Sequence, residues 1–224
     1  MKNLYNSNGL IFWSSREIKL RRMFESLFVD TIFDNLKTQN RGFEIEQIEA
    51  PMITPAQFIN PNYTAEDIFV LSEDFSLRPE TTMGSYQALA FLLDTHNERK
   101  YKLPLVVWQH GKSFRREQDQ PTKFMRLKEF YQLELQIAYS SSTMNDYSEK
   151  LVPELVESMT SMLGPCHVEE SDRLPSYSEK TLDIVCDKTS MEICSISKRK
   201  DFPGAKILEV AIGTDRCVFN FLNK

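Results

Sequence analysis

Between Ser14 and Thr38 the apolar residues Ile18, Met23, Phe24, Leu27, Phe28, Ile32, Phe33 and Leu36 recur at three- and four-residue steps. That spacing predicts an amphipathic helix, with Ser14 or Ser15 as its cap. Asn40–Gly42 breaks the pattern. FEIEQIEAPMITP then alternates Phe43, Ile45 and Gln47 against Glu44, Glu46 and Ile48 up to Pro51, as a strand does. EDIFVLSEDFSL predicts a strand pair, followed by a helix from about Thr81 to Leu93. A further helix spans Ser140 to about Leu163, with Pro153 in its first turns or kinking it. CHVEES reads as a short strand, YSEKTLDIVCDKTSMEICSISKRKDF as two β-rich segments, and ILEVAIGTDR as a strand leading through Gly213 into a last helix.

The clearest alternation lies between Val106 and Tyr139, which reads as two strands joined by a polar loop. Gln109, Ser113, Arg115 and Glu117 share one side of the first strand. In the second, Lys128, Phe130, Gln132, Glu134 and Gln136 share one face, and Leu127, Tyr131, Leu133, Leu135 and Ile137 the other. A strand pair with one apolar face is expected to sit on a core and turn its polar face outward. That polar face suits a flat anionic ligand: Arg115 can grip a phosphate with its planar fork, Glu117 can accept from an amine, and Phe130 can stack on a ring. A solvated face with charges for solubility accounts for the alternation as well.

Composition narrows the class. With 41% hydrophobic content, 224 residues suffice for one domain with a substantial core. No run approaches the roughly 20 apolar residues of a membrane helix, and the first residues lack the pattern of a secretory signal. Cys166, Cys186, Cys194 and Cys217 show no CxxC spacing, which predicts reduced, mostly buried thiols in a cytoplasmic protein and argues against a zinc site built on Cys166 and His167. A net charge of −5 is unlike that of a dedicated nucleic-acid binder. Lys198, Arg199 and Lys200 read as a solvated turn.

Five stretches carry a family resemblance. FRRE, a polar loop, then RLKEF and QLELQ resemble motif 2 of the class II aminoacyl-tRNA synthetases, nearest to the glycyl-tRNA synthetase form in which FRNE leads to RTREFEQMELEFF. The long first helix running into a proline-ended strand is similar to motif 1, whose family role is dimer formation. LRPETT resembles LRPETAQG, and Tyr177 to Phe202 is similar to HYSxxTxDIEY…GWGELEGIANRTDYDL. ILEVAIGTDR resembles motif 3, EPSFGIGR.

The resemblance implies an α+β fold, with a mostly antiparallel sheet of about six strands and helices on one side. Residues 1–224 then form a single catalytic-type domain without an anticodon-binding domain. The implied chemistry is ATP-dependent formation of an aminoacyl adenylate, with transfer to tRNA, recognised by its acceptor stem, or to another acceptor such as a carrier protein. By the same resemblance Arg115 and Arg216 are catalytic. ATP is held by Arg115, Glu117, Arg126, Phe130 and Arg216, with Lys123 a further loop cation and Lys128 in place of the second motif 2 arginine. The substrate ammonium goes to Glu80 and Glu134 with Gln132, and Glu209 holds Mg²⁺ and phosphates. Partners are ATP, a small amino acid and a second copy in a homodimer. Two positions depart from motif 3. Ala211 stands where the family has the serine that contacts the amino acid, and Asp215 replaces a glycine. That carboxylate can neutralise Arg216 or crowd the nucleotide. A second reading is therefore a non-catalytic paralogue acting as a binding subunit, as the accessory subunit of the mitochondrial DNA polymerase does.

Overall fold

Helix α1 (Ser15–Gln39) starts where the periodicity places it, and the Ser14 N–H donates to the Glu17 carboxylate at 3.0 Å, a capping-box bond. Its residues Phe24, Phe28, Ile32 and Leu36 recur every fourth position and are fully buried. They belong to one core with Leu151, Leu155, Met159 and Leu163 of α3 (Ser148–Leu163), which repeat the same spacing. Pro153 lies within the second turn of α3 without ending it. This computed structural model describes residues 9–94, 101–116, 125–143, 146–172 and 174–224. Glu117 and Lys123, with the loop 117–124, lie outside the described residues.

The remaining elements are β1 (Glu44–Gln47), β2 (Ile53–Pro55), β3 (Phe75–Leu77), α2 (Thr82–Leu93), β4 (Leu105–Phe114) and β5 (Glu129–Ser140). After α3 come β6 (Cys166–Glu170), β7 (Ser178–Cys186), β8 (Met191–Arg199), β9 (Ala205–Gly213) and α4 (Thr214–Leu222). Seven strands form one sheet in the order β1-β4-β5-β9-β8-β7-β6, against the about six that the resemblance implied. All neighbours are antiparallel except β1 and β4. The fold is thus α+β, a mostly antiparallel sheet with four α-helices among the described residues.

Three expectations need correction. The strand pair predicted in EDIFVLSEDFSL is a single strand, β3, whose partner is β2. Its intended first arm contributes only a bridge from Val70 to Ser76, because Leu71 and Ser72 both turn their N–H groups onto the Phe75 carbonyl. The helices do not all lie on one side. The α1–α3–α4 layer covers one face, while Leu89 of α2 packs with Leu105, Val107, Ala138 and Ile207 on the other. Leu105 and Val107 alternate with Val106, so β4 is apolar on both faces at that end.

The third correction concerns the polar face of the β4–β5 hairpin, which is not turned outward. Gln109, Ser113, Glu134 and Gln136 are all at most 1% exposed. What covers them is the segment entering α2. Gln109 donates to the Thr81 carbonyl at 2.7 Å, and Arg78 donates to the carbonyls of Ala50 and Lys112, both at 2.7 Å. This close approach requires Gly111, since a Cβ there would lie 2.3 Å from Arg78 Nη2. As expected of the cysteines, all four are free; Cys186, Cys194 and Cys217 are buried and Cys166 partly so.

Candidate active site

The sheet register assembles the site. On β5, Phe130, Gln132, Glu134 and Gln136 follow one another on the covered face. On β9, Gly213, Ala211 and Glu209 stand opposite Gln132, Glu134 and Gln136. Ser197 of β8 stands opposite Glu209. Above this floor opens a cavity of about 450 Å³, walled by Tyr63, Glu80, Arg115, Arg126, Tyr177 and Arg216.

One end of the cavity is a buried cluster of carboxylates. Tyr63 donates its hydroxyl to Glu80 at 2.6 Å, and Arg115 Nη2 lies 3.7 Å from the same oxygen. Gln136 bridges two acids, donating to Glu134 at 2.9 Å and to Glu209 at 3.0 Å. Arg199 pairs with Glu209 at 2.6 Å and with Asp201 at 2.7 Å, between the rings of Tyr86 and Tyr177 at 4.0 and 3.9 Å. Burial pushes the Glu134 carboxyl well above the usual range, and the neighbouring Glu209 and Glu80 add to it. Burial also raises Glu209, against the pull of Arg199. Oε1 of Glu80 and Oε2 of Glu134 are buried acceptors without a hydrogen bond. Unsatisfied buried carboxylate oxygens are costly in isolation, and a cationic donor is what completes them.

The other end is cationic and aromatic. Arg115 follows β4, its Nε donating to the Pro79 carbonyl at 3.0 Å and its guanidinium 5.3 Å from the Phe130 ring. Its backbone N–H donates to the Lys128 carbonyl at 2.9 Å, prolonging the hairpin ladder by one bond. Arg216, in the first turn of α4, donates to the Glu192 carbonyl at 2.7 Å. Arg126 lines the same wall. Three guanidiniums and an aromatic ring are a donor set suited to a nucleoside triphosphate.

The structure brings Glu80, Arg115, Arg126, Phe130, Gln132, Glu209 and Arg216 to one cavity. Glu134 lies fully buried in the floor beside Ala211. Gln132 accepts from the Ser113 hydroxyl at 2.5 Å. Two residues have partners that the sequence did not indicate. Both Glu209 carboxylate oxygens are engaged by protein groups. One oxygen accepts from Arg199 and Gln136 and the other from Tyr177 at 3.4 Å, so it belongs to the acid cluster. Among the described residues no group of three His, Cys, Asp or Glu side chains is arranged for a metal ion. Asp215, which lines the cavity beside Arg216, has both carboxylate oxygens engaged by other groups. Its Oδ1 pairs with Arg21 of α1 at 3.1 Å, and its Oδ2 accepts the Tyr131 N–H at 2.9 Å. Burial pushes Asp215 up to about 6 despite Arg21.

Sequence reasoning missed Tyr63; it read Arg199 as part of a solvated turn from composition, while the resemblance aligned it with the family stretch that closes over the amino-acid pocket. Tyr63 lies in irregular chain where no periodicity points. Arg199 could have been suspected from β8, whose alternation puts it on the same face as Ser195 and Ser197. Arg78 was visible within LRPETT, but its role in holding β4 to the α2 entry was not.

This sheet, with its arginine-and-acid cavity on the covered face, is the core of a class II synthetase. Residues 63–210 match the family model for the tRNA synthetase class II core domain (G, H, P, S and T), more than half of the chain, and the protein belongs to that family. The curated proteins it is similar to include three glycine–tRNA ligases of mycoplasmas. It is 26% identical over 205 residues to that of Mycoplasma genitalium, covering 78% of this chain and 45% of the relative. It is 32% identical over 144 residues to that of Mycoplasma capricolum, covering 59% and 31%. It is 31% identical over 113 residues to that of Mycoplasmopsis synoviae, covering 48% and 24%. The chain spans less than half the length of these relatives.

Proposed function

We propose that the protein activates a small amino acid with ATP and passes the acyl group to tRNA, with glycine the first substrate to try because its relatives are glycine–tRNA ligases. The amino-acid carboxylate attacks the α-phosphorus, a new C–O–P linkage forms, and the bond to pyrophosphate breaks. The acceptor hydroxyl then attacks the mixed anhydride and releases AMP.

The observation that carries this reading is Arg115. It reaches the acid cluster at Glu80 and lies against Phe130 at the cationic end, so one guanidinium spans the place where carboxylate and phosphate must meet. Positioning and charge neutralisation are what this reaction asks of a protein. Glu80 and Glu134, with their unsatisfied oxygens, receive the substrate ammonium, while Gln132 lines its approach. Phe130 stacks beneath the adenine with Arg216 above it, and Arg126 takes the outer phosphates. Glu209 would help hold Mg²⁺, which would supply charge neutralisation to the phosphates when bound. Ala211 in the floor leaves room for a substrate slightly larger than glycine.

The protein acts in the cytoplasm as a homodimer on this proposal. The exposed apolar side chains of Met52, Ile53, Phe58, Val70, Leu71 and Phe75 around β2 and β3 support the dimer, and light scattering on the purified protein tests it. The function is tested by ATP–pyrophosphate exchange with each proteinogenic amino acid in turn. Exchange stimulated by one of them, and reduced about 100-fold or more in Arg115→Ala, is the expected result. No exchange and no ATP binding would leave the binding-subunit reading in its place.

A further inference from the structure

At the edge of the cavity, which Tyr131 and Asp215 both line, Arg21 and Asp215 meet in a buried pair that joins three elements at one point. Arg21 comes from α1, Asp215 from the first turn of α4, and Tyr131 of β5 lies between them. Asp215 accepts the Tyr131 N–H, and the Arg21 guanidinium lies over the Tyr131 ring at 3.7 Å. One turn along α1, Glu25 pairs with His110 of β4 at 2.8 Å. The other ring nitrogen of His110 lies 3.0 Å from the Thr214 hydroxyl, which also reaches the Tyr131 carbonyl at 3.3 Å. Both backbone polar groups of Tyr131 are thus engaged by successive residues at the start of α4.

The sequence neighbours of Tyr131 and Asp215 line the cavity too. Phe130 and Gln132 flank Tyr131 on β5 and point the other way. Arg216 follows Asp215, and the roughly 100° step of a helix turns it from the core to the cavity wall. Apolar residues often replace a buried ion pair at no cost in stability, so stability alone is a weak reason for this one. We propose that Arg21, acting through Asp215, is a positioning residue that sets Arg216 and Phe130 for the nucleotide. The inference rests on the function proposed above.

Two readouts test it in Arg21→Met, Asp215→Asn and the double variant, with Arg21→Lys as the conservative control. The first is hydrogen exchange by mass spectrometry. Faster exchange confined to residues 129–133 and 212–222, with α3 unchanged, is expected. Equal acceleration throughout the protein would reduce the pair to general stability and overturn the proposal. The second is steady-state ATP–pyrophosphate exchange. KM for ATP is expected to rise about tenfold, with KM for the amino acid within about twofold. The double variant should be no worse than the poorer single one, and Arg21→Lys should recover part of the loss. An active wild type whose variants keep its KM for ATP sinks the positioning role alone. A wild type that neither exchanges nor binds ATP sinks the functional reading, and the nucleotide role of the pair with it.

Discussion

Along β5, Leu133, Leu135 and Ile137 face the helix layer, while Glu134 and Gln136 on the same strand face the cavity side. All five are fully buried. The apolar set gains about 25 cal/mol for each Å² withdrawn from water. The polar set gains little and leaves Oε2 of Glu134 and Oε1 of Gln136 without hydrogen bonds. Equal burial therefore hides opposite energetics. One face of the strand supports the fold. The other is carried by that support in a state that suits a ligand better than it suits the free protein, a familiar trade between stability and activity.

Substitutions on the two faces should separate accordingly. Leu135→Ala has the largest expected effect on folding, a loss of about 2–5 kcal/mol in denaturant unfolding, because a fully buried position leaves a cavity. A loss below about 1 kcal/mol would mean that the helix layer does not depend on this face. Gly111→Ala comes next, at about 1–3 kcal/mol. The new methyl would strike Arg78 and displace its bonds to Ala50 and Lys112, so the cover over the polar face should loosen. Limited proteolysis near Arg78 would report that loosening.

Glu134→Gln should break the pattern. It removes a carboxyl disfavoured by burial, so the thermal midpoint is expected to hold or rise, while KM for the amino acid in pyrophosphate exchange rises about tenfold or more. A fall in stability with KM unchanged would assign Glu134 to the fold. The same variant carries a pH signature. A carboxyl whose folded pKa is raised contributes stability that is complete below its unfolded value, near 4.5, and is lost as pH rises through the folded value. The stability of wild type relative to Glu134→Gln should therefore decline as pH increases above about 4.5, as thermal melts across a pH series would record. Lys112→Ala sets the lower bound. Its pair with Glu129 at 3.2 Å is about one-third exposed, and its loss should cost less than about 1 kcal/mol.

Much of the architecture was readable because it follows from local periodicity. The four-residue stripe of Phe24, Phe28, Ile32 and Leu36 marked α1, and the alternation on either side of the polar loop marked β4 and β5. The candidate site was legible only through the wording of short motifs. Alternation alone described Glu134 and Gln136 as a solvent face, since a pattern of polar residues does not say what will be laid over them. The segment that covers them, from Arg78 to Thr81, is held by bonds between residues about 30 positions apart. Asp215 shows the same limit from the other side. Beside Arg216 in sequence it looked like a defect in the nucleotide site, yet its partner, Arg21, lies 194 residues away.

The sequence by itself determined the elements, the α+β class, and the supply of arginines, acids and an aromatic to particular strands. These depend on backbone period and residue chemistry, which act over a few residues. Only the tertiary structure decided that α2 crosses to the cavity side, that Glu209 joins Glu80 and Glu134 around Gln136 and Tyr63, and that Asp215 turns inward to Arg21. Those outcomes depend on which distant groups satisfy a buried charge, and that is settled when the layers close.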